Sequence, residues 1–360
     1  MSDLLQQAVA GVTVPDPSLR PLAQARLDSL TKPQGSLGRL EEMAALLFRL
    51  QGGVLPVQVD PVRCLVMAGD HGVAGPDGPG VSLFPQAVTR QMVQNFVNGG
   101  AGVNVLCRSA GVALQVVDIG CAGGEFPPHP TLVQRKVAPG TANFLDGPAM
   151  TRAQCQRALE VGIELAQEAA AAGVRTLCLG EMGIGNTTAA SALFAAFLGL
   201  DPAGVVGPGT GLSAYGIEKK IDVVRQALAC HADVLRAGEP LGILAALGGL
   251  EIAGMAGLVL GGAASGMLVV VDGFIATAAY VAAQAFQPLV REYAIFAHAS
   301  AEPGHQAIMQ CIGGAPLLHL GMRLGEGTGA VLCCQVLRAA AAVINEMATF
   351  ESAGVSGASG

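Results

Sequence analysis

Val174-Arg-Thr-Leu-Cys-Leu179 runs into Gly180-Glu-Met-Gly-Ile-Gly-Asn-Thr-Thr188, and then comes an apolar stretch, Ala189–Leu198. A short continuous apolar run, a glycine-rich turn and a helical pattern are the signature of a strand feeding a helix. The run does not alternate, so the strand is expected to be covered on both faces, as in a parallel sheet. The same grammar recurs outward from it. Candidate strands are Val62–Ala68, Ala113–Asp118, Met267–Val271 and Tyr293–Ala297, separated by helical stretches such as Thr151–Ala171, which Gly173 can terminate. The alternation predicts an α/β fold: a Rossmann-like, mainly parallel sheet with helices on both faces.

Polar residues stand at the end of four of these five runs. Asp70-His71, Glu181, Asp272-Gly273 and His298-Ala-Ser300 are each placed just past one. In doubly wound sheets ligands bind outside the carboxyl ends of the strands, so one cleft is expected to collect these residues. The two chain ends read differently. Residues 1–50 are helical around the break Thr31-Lys-Pro-Gln-Gly-Ser-Leu-Gly38, and residues 330–351 carry a further apolar helix. These ends are expected to form a small helical domain beside a large α/β domain at 51–329, with 352–360 a flexible tail. No internal repeat is evident.

Composition narrows the function. Charged residues are 13% of the 360, well under the usual share of about 25%. The net charge is −7, with only four lysines and no basic run, which argues against a nucleic-acid partner. Nine cysteines without a CxxC pair suit buried thiols in a reducing cytosol. The N-terminus lacks the positive-then-apolar order of a signal peptide. Ile252–Val271 carries no charge over twenty residues, long enough to span a bilayer. Its five glycines and its Val-Val-Val ending read instead as a buried helix, a turn and a buried strand, so no membrane partner is expected.

Four constellations offer chemistry. Gly183-Ile-Gly-Asn186-Thr187 opens a helix, where backbone N–H groups and the helix dipole favour an anion. It fits neither a dinucleotide fingerprint nor a Walker loop, and a structural strand–helix turn is the alternative. Gly207-Pro-Gly209-Thr210-Gly211 precedes a helix with Lys219 and Lys220. On its wheel Lys220 lies about 60° from the apolar stripe and Lys219 about 160°, so Lys220 turns inward, as a phosphate contact or a snorkelling flank. Glu326, between Gly325 and Gly327, is either a base raised by an apolar site or compensation for a helix dipole. The group His71, His298, Glu302 and His305 suggests metal ligands, but its spacing matches no strong zinc pattern. No metal and no cofactor is assigned, and buried or capping histidines are the alternative.

Thr31-Lys-Pro-Gln-Gly-Ser-Leu-Gly-Arg-Leu-Glu41, Ala68-Gly-Asp-His-Gly-Val73, Gly180–Thr188, Val271-Asp-Gly-Phe274 and Arg323-Leu-Gly-Glu-Gly-Thr-Gly329 occur in that order. Together they resemble the bacterial nicotinate-nucleotide–dimethylbenzimidazole phosphoribosyltransferases. The resemblance implies transfer of the 5-phosphoribosyl group of nicotinate mononucleotide to 5,6-dimethylbenzimidazole, in assembly of the lower ligand of cobalamin. It implies Glu326 as general base and Glu181 as a second acid. It also implies a sugar-phosphate site at Gly183, Asn186, Thr187, Gly209, Thr210, Gly211, Lys220 and Ser300, with Asp272 and Gly273 in the nucleotide lining. Leu324, Gln91 and Ser82 are the implied benzimidazole contacts, and the implied assembly is a cytoplasmic homodimer. A nucleotide or aromatic-base sensor without catalysis and a metal-dependent hydrolase are the competing readings.

Overall fold

The computed structural model describes residues 2–356. Six strands, β1 (Val62–Gly69), β2 (Ala113–Gly120), β3 (Leu132–Gln134), β4 (Thr176–Met182), β5 (Leu268–Val271) and β6 (Ala294–Phe296), form one sheet. Their order is β3-β2-β1-β4-β5-β6, and every neighbouring pair is parallel. The chain builds outward from β1 to β3, returns to lay β4 beside β1, and builds outward the other way. At that reversal the loops leaving β1 and β4 pack on each other, and a cavity opens beside them over the carboxyl ends of β4, β5 and β6. Met67 pairs with Glu181 and Ala68 with Met182 there.

The unbroken apolar runs are explained by two cores. Leu65 and Met67 join Leu177 and Leu179 on one face, while Cys64, Val66 and Ala68 join Cys178 on the other. The helices Arg152–Ala171, Asn186–Leu198, Leu250–Ala264 and Phe274–Phe286 supply the first core. Arg39–Leu50, Gly102–Ala110 and Thr328–Glu346 supply the second. Successive side chains of a strand point to opposite faces, so a strand covered on both has no polar position to spare.

Residues 252–271 form the helix, turn and strand expected of them. Leu250 through Ala263 are all buried, Gly266 turns with φ 72°, and β5 comes next. The helix is apolar all round because the sheet covers one side and Arg152–Ala171 the other. The two backbones touch: a methyl group at Gly162 would collide with the carbonyl of Gly254. Among the described residues, Thr328–Glu346 alone is apolar and long enough to cross a membrane, but it packs on β4, β5 and the helices Arg39–Leu50 and Gly102–Ala110.

Several details depart from expectation. β3 is absent from the expected strands: it is a three-residue edge strand, half-exposed, with no β-branched run to announce it. β4 starts at Thr176 and runs through Glu181, so that acid lies in the strand rather than in the loop after it. The helix Asn186–Leu198 begins three residues before Ala189. Leu19–Asp28, Arg39–Leu50 and Thr328–Glu346 pack together, tied by Arg26 to the carbonyls of Ile344 and Met347. The first helix, Asp3–Gly11, does not join them. Its buried Leu5 and Ala8 pack in the opposite layer, against Arg152–Ala171 and Leu250–Ala264. The segment Thr13–Ser18 is long enough to carry the chain across. Of the expected tail, 357–360 lie outside the described residues, and Ser352–Val355 fold back in turns hydrogen-bonded to Thr349, Phe350 and Glu351.

Candidate active site

Glu181 occupies the carboxyl end of β4, and Asn186 donates a side-chain hydrogen bond to its Oε2. Asn186 is the first residue of its helix because Gly185 takes the left-handed conformation (φ 97°), turning strand direction into helix direction in one step. Burial pushes the Glu181 carboxyl up to about 8; the charges of Asp272 and Glu251 add to this and the Asn186 bond opposes it.

Glu326 approaches from the other side of the crevice. Gly325 (φ 79°), Glu326 (φ 62°) and Gly327 (φ 85°) are left-handed in succession, and Glu326 is the only non-glycine residue so placed among those described. Such a conformation costs a non-glycine residue about 1–2 kcal/mol, so the surroundings must impose it. Asp272 does so by accepting from the backbone N–H of Gly327 (3.3 Å) and of Ala330 (2.8 Å), at the start of the last helix. Thr328 Oγ1 donates to the Gly325 carbonyl at 2.8 Å. The Glu326 carboxylate in turn accepts from Val103 N–H (3.1 Å), at the N-terminus of Gly102–Ala110. Burial raises the Glu326 carboxyl above its ordinary range; the Val103 bond opposes the rise and the Asp272 charge adds to it.

The loops toward β6 and the 186–198 helix bring a buried lysine beside a helix N-terminus. Lys220 is 1% exposed, and its Nζ donates to Thr187 Oγ1 (2.7 Å) and to the Gly207 carbonyl (3.4 Å). Burial lowers its ammonium to about 8, with the Glu302 carboxylate pulling the other way. Thr187 sits in the first turn of Asn186–Leu198, where free N–H groups and the dipole favour a negative ligand. Arg323 holds the Gly209 carbonyl at 3.3 Å, and Thr210 meets Ser82 at 3.4 Å between hydroxyls. The Ser300 N–H donates to His305 Nδ1 at 3.0 Å, which fixes the loop after β6.

A cavity of about 380 Å³ gathers Glu181, Glu326, Gly183, Asn186, Thr187, Gly209, Thr210, Asp272, Gly273, Ser300 and Leu324 on one wall or another. Lys220 stands behind Thr187 rather than on the wall, and Gly211 lies beyond it. Ser82 and Gln91 line a neighbouring cavity of about 1080 Å³; Phe84 borders both spaces. The carboxylate of Asp272, on the wall, is already committed to the helix N-terminus. Phe84, Val88 and Met92 form an apolar wall that sequence reasoning missed, because a sparse apolar stripe on Ala87–Val97 looks like any amphipathic helix. Arg323, His298 and Glu302 are further wall residues, each standing in or beside one of the sequence motifs.

The candidate metal ligands are not gathered around one point. His71 pairs with Glu251 (2.6 Å), His298 lies 3.8 Å from Asp272, and His305 serves Ser300 and Thr277. Among the described residues no three His, Cys, Asp or Glu side chains cluster as a metal would need. All nine cysteines are free, and seven are buried.

Residues 12–355 match a family model described as phosphoribosyltransferase. A protein of Solidesulfovibrio magneticus named nicotinate-nucleotide–dimethylbenzimidazole phosphoribosyltransferase is 58% identical over 99% of both chains. One of the same name from Nitratidesulfovibrio vulgaris is 55% identical over 99% of both. The crystal structure of the Thermus thermophilus protein of that name superposes with a TM-score of 0.88 at 46% identity, covering 95% of this chain and 100% of that one.

Proposed function

The chain belongs to the nicotinate-nucleotide–dimethylbenzimidazole phosphoribosyltransferases, and from that membership we infer how its residues divide the work. The reaction moves the 5-phosphoribosyl group of nicotinate mononucleotide to 5,6-dimethylbenzimidazole, yielding α-ribazole 5′-phosphate and nicotinate for the lower ligand of cobalamin. The C1′–N bond to a pyridinium breaks with its electron pair returning to the ring, so the leaving group needs no proton. The entering imidazole nitrogen attacks C1′, and its partner N–H must give a proton to a base.

The observation that carries the assignment of roles is two buried carboxyls with raised proton affinity, from β4 and from the 325–327 turn, facing one cavity beside a buried lysine and a helix N-terminus. Glu326 is assigned the benzimidazole proton, because a carboxylate raised by burial is a stronger base than one in water. Glu181, held by Asn186, is assigned a place beside the ribose at the reacting centre. Thr187, Gly183, the Gly209–Gly211 loop, Ser300 and Lys220 are assigned the phosphate, with Lys220 acting through Thr187. Phe84, Val88, Met92 and Leu324 supply an apolar slot for the benzimidazole, with Ser82 and Gln91 beyond Phe84. Gly273 and the backbone beside Asp272 face the nucleotide. Phe84 (49% exposed) and Leu324 (60%) leave apolar surface at the mouth, which supports a homodimer that covers it. The free, mostly buried thiols support a cytoplasmic setting, and the acidic surface supports neither a nucleic-acid nor a membrane partner.

The test is release of nicotinate from nicotinate mononucleotide, monitored by chromatography with and without 5,6-dimethylbenzimidazole and with chelator present. Release that needs the base, with a ribazole phosphate product, is expected. Release without the base means hydrolysis, and saturable binding without release means a sensor.

A further inference from the structure

His71, just past β1, is not used by the site described above. Its ring is 1% exposed and its Nε2 lies 2.6 Å from Oε1 of Glu251, itself fully buried in the first turn of Leu250–Ala264. The other polar atoms here, His71 Nδ1, Glu251 Oε2 and Asp70 Oδ1, are buried with no hydrogen-bond partner among the described residues. Burying an ion pair is costly, and apolar side chains of similar volume serve stability as well or better. A pair kept in so enclosed a place therefore needs another reason.

Its neighbours supply one. A methyl group added at Gly183 would come within 3.4 Å of His71 Nε2 and Cδ2, and one at Gly185 within 3.3 Å of His71 Cβ. The loop that opens the 186–198 helix thus packs on the Gly69 carbonyl and Ala74, with the His71 ring in van der Waals contact beside them. From that loop Asn186 reaches Glu181 and Thr187 reaches Lys220. Burial disfavours the imidazolium, but the charge and hydrogen bond of Glu251, with Asp70, outweigh it and raise the proton affinity of His71. The Glu251 charge also reaches Glu181.

We propose that His71 and Glu251 are positioning residues of the transferase. The imidazole packs against the 183–185 loop and so helps set Asn186 and Thr187, while the Glu251 carboxylate fixes the orientation of the imidazole. The proposal rests on the transferase reading and touches no substrate directly. The charged groups around the pair are Asp70 from the end of β1, Glu251 from its helix and Glu181 from β4, with Asp272 and Glu326 beyond Glu181.

The experiment compares wild type, His71→Asn and Glu251→Gln by steady-state kinetics across pH and by calorimetric titration with nicotinate mononucleotide. His71→Asn is expected to lower kcat/KM for the mononucleotide about 10–100-fold, while KM for the base changes less than about twofold. Glu251→Gln removes the carboxylate that fixes the imidazole, so it is expected to reproduce the His71→Asn loss in kcat/KM, again with KM for the base within about twofold. Folded variants that keep both kcat/KM and mononucleotide affinity within about twofold of wild type overturn the proposal. If wild type forms no ribazole phosphate, the transferase reading fails, while the calorimetric comparison still decides the positioning role. Should the variants not fold, the imidazole nitrogens of His71 are observed in ¹⁵N-labelled wild type. Their resonances shift on mononucleotide addition if the loop bears on the ring, and unshifted resonances refute the role.

Discussion

Gly325→Ala separates the two things the 325–327 turn does. Gly325 has φ 79°, and a methyl group there would collide with Oε1 of Glu181. The left-handed conformation costs an alanine about 1–2 kcal/mol. The collision adds a displacement of the Glu181 carboxylate, or of the turn that holds Glu326, by a substantial part of an ångström. Misplacing a reacting group by about 1 Å costs on the order of 100-fold in rate. Gly313→Ala is the control, because Gly313 has φ 64° and nothing within 4 Å of an added methyl. Both variants are expected to melt a few degrees lower than wild type, as about 1–2 kcal/mol of destabilisation implies. Only Gly325→Ala is expected to lose turnover, by about 30–100-fold in the nicotinate-release assay at saturating substrates. Turnover by Gly325→Ala within about threefold of wild type, in protein melting like the Gly313 variant, would refute the claim that the two acids are held against each other across this glycine.

Glu326→Gln keeps the Val103 hydrogen bond and removes the base, so kcat should fall by about 10²–10⁴-fold with little change in mononucleotide affinity measured by calorimetry. The Glu181 carboxyl titrates at about 8 in the fold, above its unfolded value, so the native state holds a proton that the unfolded chain has lost. Stability should therefore decline as pH rises from the ordinary glutamate range to about 8, and thermal melts of Glu181→Gln should show a shallower decline over that window. Lys220 titrates at about 8 and loses its charge above that pH, so KM for nicotinate mononucleotide should rise between about pH 7 and 9. Lys220→Met should bind the mononucleotide about 10–100-fold more weakly, the worth of a charged hydrogen bond, and lose that pH dependence.

The local order of the chain was legible from residues alone. Unbroken runs such as Cys64–Ala68 and Leu177–Leu179 announced strands covered on both faces, because alternation disappears when both sides of a sheet face a core. Of the residues just past those runs, Glu181, Asp272, Gly273, His298 and Ser300 line the one cavity, while Asp70 lines its neighbour and His71 lines neither; the wheel of the 214–230 helix turned Lys220 inward and Lys219 out, as found. Ordered strings from Thr31 to Gly329 identified the family. β3 escaped because three half-exposed residues carry no pattern, and the apolar wall of Phe84, Val88 and Met92 escaped because one cavity face looks like ordinary amphipathicity.

Periodicity records which way a side chain points, not what it meets. Glu326 reads as a base or a cap until the fold sets it against Gly102–Ala110 and stakes its turn to Asp272. His71 reads as a metal ligand or a core histidine until Leu250–Ala264 brings Glu251 to it. The first helix reads as part of a terminal bundle until its Leu5 and Ala8 find the opposite layer. In each case the partner lies far along the chain, and only packing of the two layers on the sheet chooses it. Sequence by itself determined the five longer or buried strands, the order of the motifs and the family; tertiary structure decided which carboxylates share a cavity, what holds them there and how burial sets their protons.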